Sequence, residues 1–413
     1  MNNLINLLRE GKTQFHVVEY SKQTLLDNGF TMLSMYDNWN LNPGKYFVQP
    51  FSSMLVAFII GNVPKALRIS ACHTDFPMLK LKSKPELNKS GYLMANVEPY
   101  GGLILSTWFD RPLGLAGKIL SKGKDAFSPV TTLFDSKKPV FTLPNLAPHL
   151  KKNANSDIDK QKEVIPLCGL AANNDINSSS DYILDYISSE TKLPKDAILD
   201  YDLYLYIFDE PMTIGLDDKL LSSPRIDNIS SVSAILDSLC NSTINDSICI
   251  GAFFDNEEIG SRSKQGADSL LLRNIIDKIL PNDALYKNAF CLSIDVAHAA
   301  HPNYMEKSDI TNKIMLGNGF ALKTSASQRY VTDSEAGATI TALCQEKNIK
   351  LQKMVNNSNI PGGQTLGPII SSYLPVKSVD IGIPMLAMHS ARELIHEDDY
   401  LSLKQLIKEF YEY

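Results

Sequence analysis

The chain of 413 residues carries 46 acidic against 40 basic residues, a formal net charge of −6, with 44% hydrophobic content. That balance describes a globular protein long enough for two or three domains, or for one large core with an insertion, and without long single-sign runs it argues against nucleic acid as a partner. Six cysteines without CxxC spacing predict buried free thiols in a reducing compartment, and with no leader pattern and no run of roughly 20 apolar residues the expectation is a cytoplasmic protein with no membrane segment.

Residues 4–8 open a predicted helix, with Leu25 and Leu26 further on, and the apolar run 66–72 predicts a strand ending at His73. Residues 1–90 thus read as an α/β entry unit. From 91 to 221 the texture changes to Gly, Thr, Pro and alternating apolar residues, as in 202–208, interrupted by polar stretches at 151–162 and 173–180. This predicts a β-rich insertion with exposed loops. After 222, helix and strand alternate again: helix 229–239, strand 248–254, helix 270–279, strand 290–294, helix 336–346 and strand 385–388. The expected fold is α/β, with a split domain of 1–90 and 222–413 built on a central mixed sheet flanked by helices, and a second, β-rich domain inserted over 91–221.

The expected chemistry sits where these strands end. Glu257 and Glu258 follow the apolar run 248–254, and two adjacent carboxylates at the mouth of a core strand point to a cation, one as ligand and the other as proton carrier. A solvated turn is the ordinary alternative. His73 is followed by Asp75, and a carboxylate two residues on can hold an imidazole in its metal-binding tautomer. Asp227 stands just ahead of a helix, where Asp is also a standard N-cap. Asp295 ends the run 290–294, with His298 and His301 close behind, and His389 closes the run 383–388. Each has an ordinary explanation alone, but they share one placement, immediately beyond an apolar strand or at the start of a helix. Two His, two Asp and one Glu suit a pair of divalent ions of zinc type, with one Asp bridging. Such ions activate water for attack on a carbonyl, while a free Glu carries the proton to the leaving amine. Glu257 fits that base and Glu258 the ligand.

In register along the whole chain, His73-Thr74-Asp75, Thr107-Trp108-Phe109-Asp110-Arg111, Ser223-Pro224-Arg225-Ile226-Asp227-Asn228, the 255–261 segment, Asp295-Val296-Ala297-His298 and Met388-His389-Ser390-Ala391-Arg392-Glu393 resemble the M18 aminopeptidases, the aspartyl aminopeptidase family of two-metal exopeptidases. The resemblance implies that His73, Asp227 and Asp295 hold one metal and that Asp227, Glu258 and His389 hold the other. Zinc is the first expectation for both, with cobalt or manganese as alternatives. It further implies Asp75 as the residue orienting His73 and Glu257 as the general base. Lys323 and Tyr330 are similar to the family's contacts for an acidic substrate side chain and the reaction centre, His298 to a substrate-contacting His, and His149 to the histidine lent to a neighbouring subunit's site. The ordinary alternative for Lys323 is a solvated surface lysine.

The same resemblance implies peptide substrates, a preference for N-terminal Asp or Glu, an inserted domain used for dimerisation, and dimers that build a tetrahedral dodecamer. Two departures stand out: Phe76 where the family usually has Ser, and Gly362-Gly363 in place of a Cys-Gly pair. Neither touches an expected ligand, though Phe76 bears on the acidic preference. The rival readings are a two-metal deacylase or carboxypeptidase on the same scaffold, and a non-catalytic shell or cargo-binding protein.

Overall fold

Strands rich in aliphatic and aromatic side chains assemble a nine-stranded sheet in the computed structural model, which describes all residues except 151–156, 172–180, 245 and 281–282. The polar loop expected at 173–180 and the first part of that expected at 151–162 lie outside the described residues. The strands run, in spatial order, 31–33, 44–51, 54–60, 247–254, 66–73, 289–294, 377–382, 320–324 and 351–355. The middle four are mutually parallel, and the pairs 54–60 with 247–254 and 377–382 with 320–324 are antiparallel, so the sheet is mixed.

Parallel strands covered on both faces read as unbroken apolar runs. Ser247–Phe254 is such a run, buried at all of its positions. One face meets the helix Leu271–Ile279, whose buried Leu272, Ile275, Ile276 and Ile279 follow the i, i+3, i+4, i+7 spacing of an amphipathic helix. The other face meets the helix Ile226–Asn241 so closely that a Cβ at Gly251 would lie 2.8 Å from both Ile235 Cγ2 and Leu239 Cδ1. Burial of the helix follows from its place between this sheet and the C-terminal helix Glu397–Glu412, which packs against it. A smaller mixed sheet joins 212–214, 220–223, 393–396, 384–386 and 297–298.

The chain divides into two compact units, Met1–Asp75 with Pro211–Met388 and Glu393–Tyr413, and Phe76–Glu210 with His389–Arg392. The reading from sequence set these divisions at 90 and 221. The earlier boundary at 75 follows from pairing, because the strand Met78–Lys89 lies between 198–207 and 92–100 in the second unit's sheet. That sheet has six strands, 130–135, 113–121, 198–207, 78–89, 92–100 and 167–170, all antiparallel neighbours. Its apolar side is filled by Leu79, Val97, Leu115, Leu203 and Leu205, and the helix Tyr182–Thr191 adds Ile183 and Ile187 to the same cluster. Among the described residues no helix is long and apolar enough to cross a membrane.

Candidate functional site

Register brings the first unit's polar residues to one edge of the sheet. Phe254 is paired with His73 and Ser293 with Ala71, so that Asp295, two residues on, lies level with His73. The three parallel strands therefore end together, and whatever follows each of them gathers at their carboxyl ends, where open α/β sheets bind ligands.

His73 is buried, at 1% exposure. Its Nδ1 lies 3.0 Å from the Asp75 carbonyl oxygen and 3.5 Å from Asp75 Oδ1. Its Nε2 looks the other way, 3.5 Å from Asp227 Oδ1, 3.5 Å from Asp295 Oδ1 and 4.0 Å from Glu257 Oε2. With Nδ1–H donating to the Asp75 carbonyl, Nε2 presents a lone pair to carboxylate oxygens, an arrangement that is repulsive without a cation between them. A proton is one such cation: burial works against charge on His73, yet the hydrogen bonds of Asp295 and Asp75 raise its pKa well above the ordinary value. The same donors suit a divalent ion, since imidazole nitrogen with carboxylate oxygens is a zinc-type set. Two groupings within the unit have ligand atoms all within 4.8 Å of one another, His73 with Asp227 and Asp295, and His73 with Glu257 and Glu258. The residues present therefore fit a metal.

Asp75 also reaches the turn after the neighbouring strand. Its two carboxylate oxygens accept the backbone N–H groups of Glu257 and Glu258, each at 3.2 Å. The short 3-10 turn Glu257–Ile259 is thereby tied to the His73 strand, between left-handed Asn256 (φ 64) and Gly260 (φ 98). Burial pushes the Glu257 carboxyl up to about 8, with His73 opposing and Asp295, Asp75 and Asp227 adding to the rise. Asp295 moves the opposite way. Burial disfavours its charge, but Lys323 and His73 hold it down at about 2.

Asp227 lies on a non-helical stretch at the head of the helix (φ −75, ψ 107); its N–H donates to Glu393 Oε2 at 3.0 Å and its Oδ1 lies 3.5 Å from His73 Nε2. Lys323 is not solvated. It is 2% exposed, with Nζ donating to the Val296 carbonyl at 2.8 Å, 3.9 Å from Asp295 Oδ2 and 5.3 Å above the Tyr330 ring. Tyr330 is buried and its hydroxyl accepts from Asn356 Nδ2 at 3.3 Å. His298 sits on the two-residue strand Ala297–His298 and is exposed.

Two expected residues belong to the second unit. His149 is exposed in a turn. His389 does not close a strand of 385–388, because the strand is only Pro384–Leu386 and Ala387 (φ 57) turns the chain; His389 Nδ1 lies 2.9 Å from the Gly102 carbonyl oxygen.

Three buried acids of the site region escaped the reading from sequence. Glu393 fixes the Asp227 backbone. Asp255, raised to about 7 by burial and by Asp75, accepts from Asn256 N at 2.7 Å. Asp380 lies opposite Lys323 in the sheet and accepts from Thr365 Oγ1 at 2.7 Å and Val331 N. The available signal for Asp380 was a charged residue in the middle of the apolar run 379–383.

The family model described as "Aminopeptidase I zinc metalloprotease (M18)" matches residues 7–411. "Probable M18 family aminopeptidase 2" of Clostridium novyi (strain NT) is 40% identical over 426 residues, covering 99% of this chain and 98% of the relative. Among solved structures, a chain in the cryo-EM structure of the Ape4 and Nbr1 complex is 31% identical with a TM-score of 0.93, covering 99% of this chain and 85% of that one. The S. cerevesiae mApe1 dodecamer, 24% identical with a TM-score of 0.84 over 99% of this chain and 95% of that one, shares the mixed α/β fold.

Proposed function

The chain belongs to the M18 aminopeptidase family and is a metallopeptidase, and from that premise we propose that it removes the N-terminal residue of peptides, preferring Asp or Glu, at a site for two divalent ions of zinc type. In this reading His73, Asp227 and Asp295 hold one ion, Asp227, Glu258 and His389 hold the other, and Asp227 is shared. When bound, such ions polarise the scissile carbonyl and lower the pKa of water. Asp75 orients His73 and, through the two backbone hydrogen bonds, the carboxylates of the following turn. Glu257 is the general base. Its pKa, raised by burial, suits a carboxyl group that takes a proton from water and returns it to the departing amine.

On the substrate side, Lys323 and Tyr330 take the acidic side chain and the reacting carbonyl, His298 contacts substrate, and His149 completes the site of a neighbouring subunit. The 91–221 region serves oligomerisation, and the dodecameric assembly of the mApe1 structure supports a shell of dimers here. Free cysteines and the bacterial source of the relatives support a cytoplasmic enzyme.

The observation that carries this reading is His73 Nε2 turned toward Asp227, Asp295 and Glu257 oxygens at 3.5 to 4.0 Å. It is tested with metal-reconstituted protein on Asp-, Glu-, Leu- and Lys-aminoacyl amides, with a chelator control and N-acetylated peptides alongside. Chelator-sensitive release from Asp and Glu alone is expected. Release from Leu or Lys overturns the acidic preference, and cleavage of the acetylated series favours the deacylase rival.

A further inference from the structure

Beyond His298 the first unit contains a recess of about 300 Å³ whose lining includes none of the metal-centre carboxylates. Its lining includes His298, His301, Tyr304, Lys307 and Lys313 together with the buried apolar Ile314 and Met354. Two lysines face one lining acid, Asp309, which keeps its charge while accepting from Thr311 N at 3.0 Å, Asn312 N at 2.8 Å and Asn312 Nδ2 at 2.8 Å, so the lining is net positive. His301 accepts from Asn303 N through Nδ1 at 3.2 Å, which leaves Nε2 to carry the proton as a donor, and its ring lies tilted against Tyr304 at 5.1 Å between centroids.

This recess adjoins the candidate active site through two connections. Met354 of its lining pairs in register with Lys323, and Asn356, also of its lining, donates to the Tyr330 hydroxyl. His298 is three residues from Asp295, so their Cα atoms are at most about 10 Å apart. That is the length of about three residues of extended peptide. A substrate with its first carbonyl at His73 and Asp295 can therefore bring the residues that follow it up to His298, which lines this recess.

Resting on the aminopeptidase reading above, we propose that this recess receives the C-terminal carboxylate of a dipeptide or tripeptide, with Lys307 and Lys313 as the residues that select for it. The apolar lining takes the last side chain while charge-assisted hydrogen bonds hold the terminus. The enzyme would then be tuned to short peptides by recognition of both ends.

The test compares Xaa-Ala, Xaa-Ala-amide and Xaa-Glu-amide, where Xaa is the residue best released from simple aminoacyl amides. Wild-type protein is expected to favour Xaa-Ala over its amide in kcat/KM, through KM. That ratio should fall about tenfold in the Lys307→Glu/Lys313→Glu protein and be kept in the Lys307→Arg/Lys313→Arg protein. An equal ratio in wild-type and charge-reversed protein overturns the proposal. So does discrimination that appears only with Xaa-Glu-amide, which would assign the recess to an acidic side chain. If simple aminoacyl amides are cleaved and all three dipeptide substrates behave alike, this inference fails while the aminopeptidase reading stands; silence on every substrate defeats both.

Discussion

Replacing Asp75 by asparagine isolates the one residue that joins His73 to the Glu257–Ile259 turn. The aspartate carboxylate stands 3.5 Å from His73 Nδ1 and accepts both Glu257 N–H and Glu258 N–H at 3.2 Å. Asparagine keeps the shape but has a single acceptor oxygen, so its NH2 is set against one of those N–H donors. One hydrogen bond to a charged acceptor, worth about 1.5–3 kcal/mol, is lost from a buried position. The Asp75 carbonyl, 3.0 Å from His73 Nδ1, is main chain and survives the change. The imidazole therefore keeps its tautomer, and metal affinity should fall by about 10–100-fold, the usual effect of an orienting partner, without being abolished. Zinc competition against a chromogenic chelator measures this directly, with Asp227→Asn as a ligand-loss comparison. An Asp75→Asn affinity within twofold of wild type would refute the reasoning.

Glu257→Gln should retain metal and lose about 10²–10⁴ in kcat, as expected for removal of a general base; stoichiometric metal with undiminished turnover would show the role misassigned. Gly251→Val forces a side chain against Ile235 and Leu239, whose atoms already lie 2.8 Å from a Cβ at that position, and should destabilise the fold by about 1–3 kcal/mol in denaturant unfolding. Burial raises the Asp399 carboxyl from the ordinary 3.8 to about 6, against the opposing N–H groups of Gly317 and Gly319. The folded state thus holds a proton that the unfolded chain has lost, and this contribution to stability is full below pH 3.8 and disappears as pH rises through about 6. Wild-type stability relative to Asp399→Asn should therefore decline over that window and stay level above it; a flat difference across the window would contradict the assignment.

Much of the fold was readable from the chain because its signals are local. Ser247–Phe254 is apolar along its length since both faces are covered, and Leu271–Ile279 shows its buried stripe in the spacing of its aliphatic residues. His73, Glu257, Glu258 and Asp295 were visible as polar residues following such runs. Asp380 and Glu393 were not, because a single acid in a strand carries no local mark of its partners: Asp380 meets Thr365 and Val331, and Glu393 meets Asp227, which is 166 residues away. Asp227 and Lys323 were ambiguous for the same reason. Capping and solvation are the ordinary fates of those residue types, and only burial beside His73 and Asp295 distinguishes these two. The recess at Lys307 and Lys313 had no sequence signature, since an exposed lysine looks alike wherever it stands.

By itself the sequence determined which segments become helices and strands, and which residue types wait at their ends, because periodicity and burial act within a few residues. The tertiary structure alone decided that the strands ending at His73, Phe254 and Ile294 are parallel neighbours in register. That pairing gathers scattered acids around His73 into one candidate cation-binding cluster, because the distances between their oxygens depend on strand order and not on sequence separation.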